Sequence, residues 1–226
     1  MKKVLAILLV FAGLVLAQPA DDFYGAGYWT RSFFAHVGFD FGYTNGDLNE
    51  KAISLKDTNG KDMKIYPPDI ALVRTPELAV GVNIRFFTLA VSFQYASESD
   101  NLTGYEDNEK TDVTSWRLGF EFLYNLFWEG DFQIGIGGGY SYSSIKADNS
   151  ALLGNTSYRS EFIGSGIGAI LNAHYYFTDH IAIVPALKFY ENWYKNLYTK
   201  PSGNCDLEHY VWQTYIQGSL SIQYKF

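Results

Sequence analysis

Gly218-Ser-Leu-Ser-Ile-Gln-Tyr-Lys-Phe226 alternates without a break to the last residue of the chain. One face carries Gly218, Leu220, Ile222, Tyr224 and Phe226; the other carries Ser219, Ser221, Gln223 and Lys225. Successive side chains of a β-strand point to opposite sides, so the stretch reads as a strand with one apolar and one polar face. A soluble domain has little reason to place Tyr-Lys-Phe at a free end, and this pattern therefore raises compartment, fold and solvent together.

The opposite terminus bears on the same question. Met1-Lys2-Lys3 is a short basic head, residues 4–16 are apolar apart from Gly13, and Val15-Leu16-Ala17 supplies small residues at a cleavage position. The apolar core is too short for a spanning helix, which needs ~20 residues, and its flanks fit export. The expected organisation is a signal peptide over 1–17, with cleavage after Ala20 as the alternative, and one domain over 18–226. No Cys follows the cleavage region, which excludes an acyl-anchored lipoprotein. No later apolar run is long enough for a helical span, so an exported chain of this kind is either free or crosses a membrane as a barrel.

Composition narrows the choice. Aromatic residues make up 18%, with 18 Tyr and 17 Phe, beside 21 Gly, a mixture suited to strands and close packing. Cys205 is the single cysteine and has no internal disulfide partner. It lies in a polar stretch, 200–206, and reads as a bystander rather than a reactive thiol. The net charge of −7 falls to −9 once Lys2 and Lys3 leave, which excludes a nucleic-acid binder. Mean hydropathy is −0.10, low for a helical membrane protein and expected for strands that are half polar.

Eight alternating segments follow: 33–43, 78–86, 89–95, 116–124, 132–142, 163–177, 181–193 and 210–226. Phe33, Ala35, Val37, Phe39, Phe41 and Tyr43 of the first oppose Phe34, His36, Gly38, Asp40 and Gly42. Pro185 in the seventh cannot donate a ladder hydrogen bond, so a bulge or distorted pairing is expected there. Short joins at Phe87-Thr88, 125–131 and Thr178-Asp179-His180 alternate with long connections at about 44–77, 96–115, 143–162 and 194–209. Ten residues at ~3.3 Å each, tilted ~45°, span roughly 23 Å, close to the ~25 Å apolar band of a membrane barrel. Lipid offers no partner for backbone polar groups, so the sheet must close, and an even count puts both termini on one side. Within the first long connection, Asn59-Gly60 marks a hairpin whose charged arms exclude it from lipid; it is read as projecting above the membrane, and ten membrane strands is the minority alternative.

The apolar faces end in aromatic residues at both levels: Tyr43, Tyr95, Trp116, Tyr142, Trp193 and Trp212 at one, and Phe86, Tyr124, Trp128, Phe132, Phe177 and Phe226 at the other. Two girdles are what interfacial anchoring predicts. A soluble sandwich would have to pack all these rings together and would be overfilled. The polar faces then point inwards, where eight strands leave a lumen just wide enough for side chains. Asp40, Arg85, Arg117, Glu121 and Lys188 are expected to pair there, because lone buried charges are costly. Gly135, Gly137, Gly139, Gly164, Gly166 and Gly168 leave room for the long side chains.

Catalysis finds no constellation. His36, His174, His180 and His209 lack a neighbouring Ser and carboxylate in triad arrangement, and none has metal-ligand spacing. No catalytic residue, metal or cofactor is expected. The acidic run Glu98, Asp100, Glu106, Asp107, Glu109 and Asp112 lacks the order of a calcium loop and reads as a solvated loop.

Together, the terminal strand ending in Phe226, the eight segments and the hairpin Tyr175-Tyr-Phe-Thr-Asp-His-Ile-Ala-Ile-Val-Pro-Ala-Leu-Lys-Phe-Tyr190 resemble the small OmpA/OmpX-like outer-membrane barrels. The resemblance implies an all-β, eight-stranded antiparallel up-and-down transmembrane β-barrel, with short periplasmic turns and long extracellular loops, in the cell outer membrane. It implies that Gly218, Leu220, Ile222, Tyr224 and Phe226 form the signal read by the barrel-assembly machinery. The other expected partners are outer-membrane lipid, lipopolysaccharide and a surface ligand, with the protein a monomer. No wall-binding domain is expected after the barrel. The implied role is structural or adhesive, through the loops; a narrow channel for small or apolar solutes and a lipid-modifying enzyme are the alternatives.

Overall fold

The computed structural model describes residues 31–49, 53–56, 60, 62–65, 72–101, 110–127, 131–152, 156–200 and 203–226. The expected signal peptide, Trp128 and the acidic residues Glu106, Asp107 and Glu109 lie outside the described residues. Ten strands occur in chain order: β1 (Arg31–Gly46), β2 (Ile53–Lys56), β3 (Asp62–Ile65), β4 (Leu72–Ile84), β5 (Phe87–Asn101), β6 (Lys110–Leu126), β7 (Phe132–Leu152), β8 (Thr156–Tyr176), β9 (Ile181–Lys200) and β10 (Gly203–Lys225). Eight of them, β1 and β4 to β10, form an antiparallel up-and-down ring.

Closure falls where the sequence required it. β10 pairs with β1 from Phe34↔Lys225 to Gly46↔Gln213, and the Phe226 amide donates to the Phe33 carbonyl at 2.8 Å. The short joins after β4, β6 and β8 lie at the end that also holds Phe226, here called the lower end. Outward residues include Val37, Phe41, Leu78, Phe122, Ile167, Leu187, Leu220 and Ile222, all exposed. Inward ones include Asp40, Glu121, Lys188, Gln217 and Gln223, all buried. In water this arrangement would be inside out; facing lipid, it is the low-energy one.

Four expectations are corrected. First, the connections at 96–115, 143–162 and 194–209 are mostly strand. β7 and β8 each run 21 residues, β9 runs 20 and β10 runs 23, so the sheet continues far above the upper girdle as a collar. Bulges at Ile163/Gly164 opposite β9, and between Asp206 and Val211 of β10, shift the phase of the alternation there.

Second, β4 begins at Leu72, not at 78, and runs straight through Pro76. Pro76 is tolerated because the β4–β5 ladder ends one residue below it, at Glu77↔Gln94, while β4 goes on pairing with β1 to Leu72↔Tyr43. The Thr75 hydroxyl donates to the Tyr95 carbonyl at 2.9 Å, where a backbone amide would otherwise serve. Third, the first turn is Arg85-Phe86 rather than Phe87-Thr88. Arg85 takes the left-handed conformation (φ 53°) that a two-residue hairpin demands, and its side chain is exposed instead of entering the lumen.

Fourth, the Asn-Gly hairpin exists, with Gly60 at φ 76°, but it does not simply project. β2 pairs with β10 at Asp206↔Lys56 and β3 meets β7 at Ile65↔Leu152, so the hairpin lies against the collar rim. At Pro185 the pairing with β10 holds as Leu220↔Pro185, while that with β8 lapses between Asn172↔Ala186 and Tyr175↔Ile183. This is the distorted pairing expected of a residue with no amide hydrogen.

Candidate functional site

The lumen is filled at successive levels, each built from the inward register of the strands. At the lower end, Asn125 Nδ2 donates to Thr88 Oγ1 (2.7 Å), Thr88 Oγ1 to Asn83 Oδ1 (2.6 Å), and Asn83 Nδ2 to Ser32 Oγ (3.4 Å). Lys225 lies 4.4 Å over the ring of Tyr176, and Tyr176 accepts from Gln223 Nε2 at 3.0 Å.

Above this floor sits an ionic layer. Lys188 Nζ donates to both oxygens of Glu77, at 2.8 and 2.7 Å, and to Glu121 Oε1 at 2.9 Å. Three acceptors match the three hydrogens of an ammonium, so a cation only 2% exposed is fully satisfied. Glu121 also accepts from Ser92 Oγ at 3.1 Å. Gln94 Nε2 bridges Asp40 and Glu77, and His36 Nε2 lies 3.1 Å from Glu77 Oε1. Arg117 donates to Gln217 and stacks 4.5 Å from the Tyr190 ring centroid and 5.5 Å from that of Tyr215.

Of the five lumen residues expected from sequence, Asp40, Arg117, Glu121 and Lys188 are brought into this layer, and Arg85 is not. The residue missed is Glu77, the bidentate partner of Lys188. Its signal was present, since Glu77 has the inward parity of Ala79 and Asn83. The alternating segment was read from Leu78, one residue short of it.

The glycines serve a different purpose from the one expected. A Cβ on Gly168 would lie 2.5 Å from Tyr190 Cδ1, and one on Gly139 2.7 Å from Tyr190 Oη. A Cβ on Gly164 would lie 2.5 Å from Tyr194 Cδ1. At Gly139, Gly164 and Gly168 the space is therefore taken by two tyrosine rings above the ionic layer rather than by the cations, while Gly135 and Gly166 face the amides of Asn172 and Asn192. Sequence reading placed Phe34 inside, and it is 3% exposed, but it did not foresee that the collar is filled by one apolar cluster that includes Val113, Ile145, Phe162, Tyr194, Leu197 and Val211. Leu48, carried on the 3-10 turn Asp47–Asn49, is 2% exposed within it, and Ile53 packs against it.

The histidines are structural in their surroundings. His174 is buried and stacks on Tyr176 at 6.2 Å. His180 Nδ1 lies 2.8 Å from the Lys225 carbonyl, and its ring stacks on Tyr224 at 5.7 Å, tying the last turn to the last strand. His209 is exposed. Among the described residues, no group of three His, Cys, Asp or Glu side chains is placed to hold a metal.

On the outside, Trp116 and Tyr142 (5.6 Å) and Trp193 and Trp212 (5.9 Å) pair at the upper girdle. Phe86 and Tyr124 (5.4 Å), Tyr175 and Phe177 (5.1 Å), and Tyr224 and Phe226 (5.0 Å) pair at the lower one. Ring pairs of this kind add ~0.5–1.5 kcal/mol each beyond their burial.

No family model matches the chain, and no curated protein matches it in sequence. Solved structures do match in shape. The outer membrane protein OprG from Pseudomonas aeruginosa superposes with a TM-score of 0.57 at 12% identity, over 89% of this chain and 98% of that one. Neisserial surface protein A gives 0.50 at 14% identity, over 86% and 97%. A major outer membrane protein from Thermus thermophilus gives 0.50 at 11%, over 87% and 99%. At these identities what is shared is the fold: this chain is a barrel of the small outer-membrane type, whole from β1 to β10.

Proposed function

We propose that this chain is a non-enzymatic outer-membrane barrel whose lumen is closed and whose work is done at the surface, by the collar and its rim. The observation that carries the reading is the stacking of two seals of opposite chemistry: the Lys188–Glu77–Glu121 layer and the apolar collar core directly above it. A water-filled pore has neither. The adhesive or structural role follows from where material is invested, since the strands rise well beyond the band that lipid requires. The lipid-facing register of Gly218, Leu220, Ile222, Tyr224 and Phe226 supports recognition of β10 by the barrel-assembly machinery. Outer-membrane lipid and lipopolysaccharide are the partners of the band and girdles.

The competing reading, a narrow porin-like channel, draws on a small cavity between the two seals. Planar-bilayer recording of the refolded protein separates the two. A closed barrel gives no steady conductance, and the double variant Lys188→Ala/Phe162→Ala, which weakens both seals, gives brief openings. A stable ohmic level in the wild type would defeat the closed-lumen reading.

A further inference from the structure

Above the upper girdle the wall divides. β10 leaves β1 after Gly46↔Gln213 and pairs higher up with β2, at Asp206↔Lys56 and Leu207↔Leu55. β7 leaves β6 after Val113↔Ala147 and meets β3 at Ile65↔Leu152. With β8 and β9 between them, these strands make a second, smaller ring over the first: β7, β8, β9, β10, β2 and β3. The β2–β3 hairpin is the piece that completes it, and the chain enters it from β1 and leaves it towards β4. In the lower ring β7 stands across from β1, with β4, β5 and β6 between them one way and β10, β9 and β8 the other. A hairpin rooted beside β1 that touches β7 therefore crosses the mouth of the barrel.

Its two ends are held unequally. At the root, Asp47 Oδ2 accepts from the Trp212 amide at 2.9 Å, Leu48 is buried in the collar core, and Asn49 Nδ2 donates to Thr44 Oγ1 at 3.3 Å. β4 resumes at Leu72, paired with Tyr43 of β1. At the far end the one pair Ile65↔Leu152 joins β3 to β7. The pairs to β10 fall at the bulge where the β9–β10 ladder lapses between Asp206 and Val211. Within the hairpin, by contrast, pairing is unbroken from Ile53↔Ile65 to Lys56↔Asp62, and the turn at Gly60 is its own. Ladder hydrogen bonds are what hold strands as short as β2 and β3, so the hairpin is tied to itself more firmly than to β7 or β10. Ile53 and Leu207, partly buried, pack on the collar core, while Ser54 and Asp62 are exposed. Few ladder bonds and little apolar burial are the marks of a segment that opens before the rest of a fold.

We propose that the β2–β3 hairpin is a hinged lid on the collar. It turns on the root at Asp47 and Leu48, releases Asp206, Leu207 and Leu152, and uncovers the apolar collar core to the medium, while β7 to β10 keep their ladders. The rim is then a two-state surface, polar when the lid is shut and apolar when it is open. The Lys188 layer lies beneath the collar and stays closed in both states, so the lid does not depend on the surface role proposed above.

Hydrogen exchange on the chain refolded in vesicles tests the hinge. The amides of 53–56 and 62–65 are expected to exchange together, about a hundredfold faster than those of β8 and β9. Equal rates would make the hairpin part of the wall and overturn the proposal. Ile65→Cys with Leu152→Cys, in a Cys205→Ser background, puts thiols on paired positions that a disulfide can span. Its oxidation is expected to slow exchange in the hairpin about tenfold and its reduction to restore it. A bridge without effect also overturns the lid, because the hairpin then opens without leaving β7. Leu197→Cys, again with Cys205→Ser, tests the cover, since Leu197 is 1% exposed in the collar core. A water-soluble maleimide is expected to reach that thiol about tenfold faster once 51–66 are replaced by a short Gly-Ser linker. An unchanged rate shows that nothing was covered and defeats the proposal. Should the linker variant not refold, the bridged chain decides.

Discussion

Along the lower part of β8, Ile167, Leu171 and Tyr175 face outwards while Asn172 and His174 face in; nearer the rim of the same strand, Phe162 faces in and Arg159 is exposed outside. β7 makes the same change, from Gln133 and Ser141 inside to Ile145 and Ala147 inside. So does β9, from Lys188 and Asn192 inside to Leu197 inside. Below the upper girdle the sheet obeys the rule of a lipid solvent, and above it the rule of water. One continuous hydrogen-bonded wall thus contains a membrane barrel and, on top of it, a soluble β-core. The two halves depend on different forces: buried charge pairing and lipid contact below, and burial of apolar side chains above.

The largest expected effect sits in the lower half. Lys188→Ala strips the buried Glu77 and Glu121 of their shared ammonium, and is expected to destabilise the barrel by ~3–5 kcal/mol in urea unfolding from lipid vesicles. Adding Glu77→Gln and Glu121→Gln should recover much of that loss, since the cost lies in the uncompensated charges. In the collar, Phe162→Ala removes a ring that is 1% exposed and packs edge-on to Tyr194 at 6.4 Å. A loss of about 3 kcal/mol is expected, confined to collar amides in hydrogen exchange while the lower strands keep their protection.

The outer faces separate the halves as clearly. Leu220→Lys, on the lipid-facing side of β10, should cost about 2 kcal/mol or more. Tyr198→Lys, outward on β9 within the collar, should stay within ~0.5 kcal/mol. If both cost alike, the division into two solvents fails. An intermediate effect belongs to the seam between β4 and β5: Thr75→Val leaves the Tyr95 carbonyl without its hydroxyl partner and should cost ~1 kcal/mol.

How legible each half was follows from the same division. The lower half was readable because lipid demands an apolar residue at every second position, and a lapse of register would expose it. Asp40, Arg117, Glu121 and Lys188 fell into the lumen on that parity alone. Glu77 escaped because the alternating segment was read only from Leu78, while the strand runs on through Pro76, which the Thr75 hydroxyl and an ending ladder accommodate. Arg85 was extrapolated one residue too far, into a turn. The collar was not readable. Val113 and Ile145 stand singly among Ser, Thr and Lys, Phe162, Leu197 and Val211 each adjoin an outward apolar or aromatic residue that hides the alternation, and two bulges break the period that would have linked them. A core assembled from one apolar residue per strand leaves no local trace in any of them.

The most direct test of the two-solvent wall is a spin-label accessibility scan of the refolded protein in vesicles, with Cys205→Ser as background and single labels at positions 198, 217, 220 and 222. Labels at 220 and 222 should be relaxed by oxygen dissolved in lipid and shielded from a water-soluble nickel chelate. The label at 198 should show the reverse, and the one at 217, inside the lumen, should be shielded from both. Nickel access at 222, or oxygen access at 198 equal to that at 222, would contradict the account.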